Sequence, residues 1–376
     1  MRAAVFRGPH RPLTIEQVQV GHLGDDEVLI ATRASGVCHS DLHFIDGHMS
    51  AGSAVMVMGH EGAGVVQAVG GRVTAVEPGD HVVAGLSGFC GRCPQCLGGH
   101  PNLCPKPRVS RPRDAAARLS QDGEPLVQFA NLSTFAEQML VHENSVVAVD
   151  PGVPFEVAAL LGCGVLTGMG AALRTARVQA GQTVAVFGCG GVGLSIVQGA
   201  RLAGAGRIIA VDLNDGKLDL ARRLGATDGV NGADGDAVEQ VRGLTGGQGV
   251  DHAFEAVGIP TLMRQAIEVL GVRGTATICG VWSPGSTLEF PLDAIHPECR
   301  IQTSRMGSNR FKIDIPLYLG LYLQGRLDLD ELVSARISLD EVNDAFTTMR
   351  TGELARTVIE FPASGEHGSA ETGEGD

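Results

Sequence analysis

Thr183-Val184-Ala185-Val186-Phe187-Gly188-Cys189-Gly190-Gly191-Val192-Gly193 is the stretch that decides the fold. Its first five residues read as an apolar strand, the glycines as a turn, and Val192–Ala203 as the helix that follows. In a chain with 53 glycines a bare Gly-x-Gly-x-x-Gly match is weak, so the strand before it and the helix after it carry the reading. In such a βαβ unit the first glycine makes the tight turn and the second lets a pyrophosphate approach the backbone. The last lets helix pack on strand. Unsatisfied N–H groups at the helix start then face the phosphates. Gly188, Gly190, Gly191, Val192 and Gly193 are the expected contacts. A second strand, Arg207–Val211, runs into Asp212, nineteen residues beyond Gly193. A carboxylate there accepts hydrogen bonds from both adenosine ribose hydroxyls and repels a 2′-phosphate, which favours NAD over NADP.

Outward from this unit the alternation continues through a helix at Lys217–Leu224 and strands at Val250–Glu255 and Thr275–Ile278, with a helix at Leu262–Leu270. Strands alternating with helices of this length make a parallel sheet, placed at 165–305. Upstream, Val28–Ala34, Gly64–Val69 and His81–Ala84 read as short strands bounded by turns such as Pro78-Gly79-Asp80. Downstream come helices at Pro316–Gln324 and Asp340–Met349 and a strand at Arg356–Phe361. The simplest architecture is α/β. A doubly wound domain at 165–305 is inserted into a β-rich domain made of 1–164 and 306–362. The Gly/Ser-rich acidic tail at 363–376 has almost nothing to bury and is expected to be disordered.

At 376 residues the chain is long enough for two cores, and 44% apolar with 19% charged residues is a globular composition. The net charge of −13 argues against nucleic acid, because phosphate binding wants a basic face. No apolar run reaches the roughly 18–20 residues of a membrane span. Met1-Arg2-Ala3-Ala4-Val5-Phe6 reads as a first strand and not as a signal peptide, so the expected address is the cytoplasm.

Four of the nine cysteines fall in Cys90-x2-Cys93-x2-Cys96-x7-Cys104, a segment rich in Gly and Pro. Four thiolates on such backbone can close a tetrahedral zinc site with no open position, which makes it structural. A metal-free cluster and an iron–sulfur centre are the rivals, although iron–sulfur spacings usually differ. Three further candidates are dispersed. Cys38 lies in Gly36-Val37-Cys38-His39-Ser40-Asp41-Leu42-His43, His60 in Gly59-His60-Glu61-Gly62, and Cys163 in Leu161-Gly162-Cys163-Gly164. Singly, each is more often an ordinary core or surface residue.

Together, these motifs resemble the zinc-containing medium-chain alcohol dehydrogenases, in order and spacing, from about residue 1 to Phe361. The resemblance implies a GroES-like β-rich catalytic domain carrying the zinc lobe at 90–104, a Rossmann NAD-binding domain, and a homodimer or homotetramer. It implies two zinc ions per chain, the catalytic one held by Cys38, His60 and Cys163 with one position open. This two-Cys, one-His set is the general example for alcohol dehydrogenase and not a result of spacing. Asp41 would orient His60, and Glu61 would sit behind the zinc. Thr167 and Val192 would flank the nicotinamide, Lys217 would lie near the adenosine ribose, and Arg356 would reach the pyrophosphate. His39 stands where many relatives carry Arg, giving a weaker, pH-dependent phosphate contact. Ser40 would take the alcohol proton, and the family relay passes it through the nicotinamide ribose to His43, which hands it to water.

The implied reaction moves a hydride between a primary alcohol or aldehyde and NAD(H), with Leu86, Phe129 and Trp282 as pocket walls. The segments Ser304–Arg310 and Tyr322–Leu327 resemble a bacterial nicotinoprotein branch that keeps its NAD bound and uses an external electron acceptor. Two alternatives stand beside this reading. One is a thiol-dependent formaldehyde dehydrogenase acting on an S-hydroxymethyl-thiol adduct, for which no convincing basic pair can be placed. The other is a non-catalytic NAD-binding zinc protein.

Overall fold

Strand Glu27–Val37 is the spine of the β-rich half. It pairs antiparallel with Glu61–Val69, with Gln138–His142 and with the returning C-terminal strand Arg356–Glu360. The sheet is completed by Val146–Ala148, His81–Gly85 and Val333–Ile337, making seven strands. A second, six-stranded sheet starts with Arg2–Phe6. The computed structural model describes residues 1–105, 109–112, 114–352 and 354–362. The tail expected to be disordered, 363–376, lies outside the described residues.

The third sheet is fully parallel, in the order Asp228–Asn231, Arg207–Asp212, Thr183–Phe187, Val250–Glu255, Leu270–Ile278, Arg300–Thr303. Numbered along the chain this is 3-2-1-4-5-6, the doubly wound order, with its switch point between Thr183–Phe187 and Val250–Glu255. Helices Gly191–Leu202, Asp215–Leu224, Ala237–Leu244 and Pro260–Glu268 connect the strands.

The two halves share one apolar cluster. Val157, Leu160 and Leu161, from the helix Phe155–Leu160 and its end, join Leu166 and Met169 from helix Gly164–Gly170, and these continue into Val184, Val186 and Ile196 of the parallel-sheet layer. Burying each such side chain contributes about 1.5–3 kcal/mol. The cluster therefore ties the glycine-turn layer rigidly to the β-rich half.

Several expected element bounds shift, those of two helices for a clear local reason. The helix expected at Pro316–Gln324 begins five residues earlier, at Phe311, and keeps Pro316 inside. The Asp314 carboxylate accepts the Arg310 N–H at 2.7 Å and so satisfies a donor at the helix entrance. The helix expected at Leu262–Leu270 runs from Pro260 to Glu268, because proline is preset for the first helical position. Leu270 instead opens a nine-residue strand that bulges opposite Val250–His252, with Arg273 at φ 65°. Among the described residues no helix is long and apolar enough to cross a membrane.

Candidate active site

Register builds the site. Thr357 lies opposite Val37 and Ser35 opposite Gly62, so the next residues along, Arg356, Cys38, His60 and Glu61, come abreast at one end of the sheet. Cys163 reaches the same place from the turn before helix Gly164–Gly170, where it is the non-helical N-cap residue. Ligand atoms of Cys38, His60, Glu61 and Cys163 all lie within 4.8 Å of one another.

The donor chemistry fits a metal. Asp41 Oδ1 takes His60 Nδ1 at 3.2 Å and also accepts the Gly59 N–H at 3.2 Å. Among the described residues His60 Nε2 is buried with no conventional hydrogen-bond partner and faces the Cys38 thiol. An imidazole held by a carboxylate on one nitrogen, with the other buried and free, is arranged as a zinc ligand. The Cys163 thiol, Coulombic attraction from His60 and the Arg356 charge hold the Cys38 thiol well below its ordinary range. The same Cys38 contact and burial push the Cys163 thiol well above its own, so the pair shares one thiolate until a metal takes both. Thiolate is the form that binds zinc.

Glu61 pairs with Arg356 in a fully enclosed ion pair, and Glu61 Oε1 has no partner. Burial pushes Glu61 up to about 7 against the opposing pull of Arg356. The Arg356 side chain threads through glycines: a methyl on Gly191 or Gly164 would overlap it, and one on Gly36 would overlap Glu61. Arg356 therefore spans from the metal-ligand cluster to the start of the glycine-turn helix.

At that turn Gly188 has φ +92°, a Cβ on Gly193 would overlap the Gly188 carbonyl, and Gly190 has open space where its Cβ would lie. Gly188 thus makes the tight turn, Gly193 lets the helix pack on the strand, and Gly190 leaves its side of the turn open. Asp212 Oδ2 accepts the Cys189 N–H at 2.7 Å, and Oδ1 accepts those of Leu213 and Asn214. This fixes the carboxylate at the carboxyl end of its strand. Lys217 follows in the first turn of helix Asp215–Leu224. Thr167 is buried, its hydroxyl 3.6 Å from Met306 Sδ, on a helix packed directly against the one that bears Val192.

Helix His39–Ile45 starts from Cys38 and carries the remaining candidates. Asp41 faces inward, His39 is exposed, and Ser40 and His43 are half-buried one turn apart on the same face. Burial and the nearby charge of His48, whose ring centroid is 5.8 Å away, lower His43 below the ordinary 6.5. Phe129 packs edge-on to His60 at 5.5 Å. Of the other expected pocket walls, Leu86 is half-buried against the Val28–Val146 core and Trp282 is exposed after strand Leu270–Ile278. The Glu61–Arg356 pairing was not read from sequence; only sheet register brings together residues 295 positions apart.

The four-cysteine lobe also fits its metal. Cys93–Cys96, Cys93–Cys104 and Cys90–Cys96 sulfurs are 3.4, 3.9 and 4.0 Å apart. A tetrahedron of sulfurs each about 2.3 Å from zinc has edges of about 3.8 Å.

Comparison with known proteins matches these features. A family model described as alcohol dehydrogenase GroES-like domain covers residues 24–151, and one described as zinc-binding dehydrogenase covers 191–319. The chain is 41% identical over 366 residues to an S-(hydroxymethyl)glutathione dehydrogenase of Escherichia coli O139:H28, covering 96% of this chain and 99% of that one. The benzyl alcohol dehydrogenase structure from Acinetobacter calcoaceticus superposes with a TM-score of 0.90 at 33% identity, covering 96% and 99%. An alcohol dehydrogenase zinc-binding domain protein from Burkholderia ambifaria gives 0.90 at 38% identity, with the same coverage. With two cysteines and a histidine converging beside a dinucleotide turn, and with relatives aligned along almost its whole length, the chain belongs to the zinc-containing medium-chain alcohol dehydrogenase family.

Proposed function

We propose that this zinc-dependent dehydrogenase interconverts a primary alcohol and its aldehyde, with Cys38, His60 and Cys163 as catalytic-zinc ligands and Cys90, Cys93, Cys96 and Cys104 as structural ones. The observation that carries the reading is the His60 ring, bound to Asp41 through Nδ1 and with Nε2 left free among two cysteines. Bound zinc supplies Lewis acidity to the substrate oxygen, and NAD supplies the hydride acceptor. The residues do the rest. Asp41 fixes the His60 tautomer, Ser40 Oγ accepts the substrate proton, and half-buried His43 passes it outward. Arg356 and Lys217 offer positive charge around the glycine turn, His39, held below its ordinary range by desolvation and these neighbouring charges, offers a neutral imidazole, and Asp212 selects a 2′-hydroxyl. Thr167 and Val192 bound the nicotinamide side. Phe129 against His60 supports an apolar pocket suited to benzylic or medium-length alcohols.

The domains are proposed as 1–164 with 306–362, and 165–305. A homodimer is supported by the open edge strand Arg300–Thr303 beside exposed Val281, Leu292, Ile295 and Ile301. A cytoplasmic site is supported by nine cysteines that, among the described residues, form no disulfide.

The test is a panel of primary alcohols and aldehydes with added NAD, followed by NADH absorbance, with and without an artificial electron acceptor. NADH formation with benzylic or medium-length alcohols supports the reading; no turnover with any member, with or without acceptor, contradicts it. Turnover that needs the acceptor while NAD stays with the purified protein assigns the nicotinoprotein mode. The kinship to an S-(hydroxymethyl)glutathione dehydrogenase favours a second reading, so the panel includes a hydroxymethyl-thiol adduct. A kcat/KM for the adduct at least about 100-fold above that of simple alcohols assigns that reading instead.

A further inference from the structure

Strands Thr183–Phe187 and Val250–Glu255 are neighbours at the point where strand order reverses, so the ligand crevice opens outside their carboxyl ends. Glu255 ends the second strand, opposite Phe187, which leads straight into the glycine turn. It is fully buried, and among the described residues no cation pairs with it. Its Oε1 accepts the backbone N–H groups of Val257 at 2.8 Å, Gly258 at 2.6 Å and Ile259 at 3.4 Å, while among the described residues Oε2 has no hydrogen-bond partner. Its main-chain carbonyl accepts the N–H groups of Cys279 at 2.8 Å and Gly280 at 3.1 Å. One residue therefore clamps two loops, 256–259 by its side chain and 279–282 by its backbone.

The clamped loops touch each other and the glycine turn. A methyl on Gly258 would overlap the Val281 carbonyl, one on Gly280 would overlap the Gly258 amide, and one on Gly188 would overlap Val257. The three segments form a single wall of the crevice, with Glu255 behind it. A buried carboxyl without a cation is an expensive way merely to fill space. A carboxyl oxygen, however, can gather several backbone donors at once, which an apolar side chain cannot do.

We propose that Glu255 is a positioning residue for the dinucleotide: its buried carboxyl locks turn 257–259 against loop 279–282, so that the cofactor meets a preformed wall. The proposal rests on the dehydrogenase reading and extends it to a residue outside the metal and glycine motifs. Burial raises the Glu255 carboxyl, with the N–H groups of Gly258 and Val257 pulling the other way. Glutamine is the closest isostere of this side chain.

Trp282, the sole tryptophan, lies on the second loop and is 45% exposed, so its fluorescence reports the clamp without any turnover. The experiment compares wild type, E255Q and E255A by Trp282 emission, NADH dissociation constant, zinc content and Tm. E255Q is expected to bind NADH within about threefold of wild type, with unchanged emission, because its amide oxygen still accepts the three N–H groups. E255A leaves those groups unpaired, and its NADH dissociation constant is expected to rise about tenfold or more. Its Trp282 emission should shift while both zinc ions remain. E255A with wild-type NADH affinity and emission, even at a lower Tm, overturns the proposal, and so does E255Q binding as weakly as E255A. Should E255A fail to fold, E255D is read in the same way, with weakened binding expected and wild-type binding overturning. Wild-type protein that binds no NADH sinks the dehydrogenase reading itself, and the clamp is then judged on Trp282 emission alone.

Discussion

At His60 one ring nitrogen is committed to Asp41 and the other is buried and free, and that asymmetry has consequences that can be measured. Replacing Asp41 by Asn is expected to lower affinity for the catalytic zinc about 10–100-fold, because the ring loses its tautomer lock. Zinc in the four-cysteine lobe should stay; loss of both ions, or of neither, contradicts the assignment. Ser40→Ala is expected to cut turnover sharply with both zinc ions retained, and normal turnover would remove Ser40 from the proton path. His43 is held below 6.5 by burial and by His48, so it stays neutral and able to accept a proton until the pH falls below that value. Activity should therefore fall on the acid side of 6.5, and His43→Gln should lose activity chiefly above that limb, where the wild-type imidazole is neutral, and should flatten the limb itself; an unchanged acid limb excludes His43. Asp212 was legible in its place at the end of its strand from the apolar pattern alone. Its grip on the Cys189 amide of the glycine turn was not, because a backbone hydrogen bond leaves no mark on residue identity.

Among the elements, the clustering of Cys90, Cys93, Cys96 and Cys104 was legible, since the four lie close in sequence and need no sheet to assemble them. Cys96→Ser should lower the Tm and release one zinc while the hydride-transfer rate of the remaining folded protein stays close to wild type; loss of rate without loss of stability would make the lobe catalytic. The start of strand Glu27–Val37 carries a second clamp. Burial alone would push Glu27 up, yet hydrogen bonds and charge from Arg111 and Arg118 hold it down to about 2, below its ordinary 4.5. A lowered carboxyl contributes stability that is complete above pH 4.5 and is lost as pH falls toward 2. Glu27→Gln should unfold with a flatter acid dependence across that window and lose about 3 kcal/mol at neutral pH, since two guanidinium groups lose their partner. An acid-unfolding curve that keeps its wild-type slope contradicts this. The triad was illegible because Glu27 is separated from Arg111 and Arg118 by a long stretch of chain, and its charges look like ordinary surface ones until the strand buries them. Element ends were misread where local signals compete: Pro316 resembles a helix start, but Asp314 caps the helix earlier.

For the whole molecule, sequence conveyed the parallel sheet, because periodicity and the glycine turn are local signals. It conveyed the Cys38, His60 and Cys163 convergence only through resemblance. No spacing rule relates three residues that meet by sheet register and by a turn far along the chain. The continuous apolar cluster that ties the layers together keeps the ligand cluster beside the glycine turn. That geometry is tested most directly by zinc content with zinc-edge X-ray absorption on the purified protein. The expected result is two zinc ions per chain, one surrounded by four sulfurs and one by two sulfurs and an imidazole, for a mean of about three sulfurs per zinc. Cys163→Ala should keep the four-sulfur ion and lose turnover. A wild-type protein with one zinc in an all-sulfur shell, or a Cys163→Ala variant with an unchanged spectrum, would contradict it.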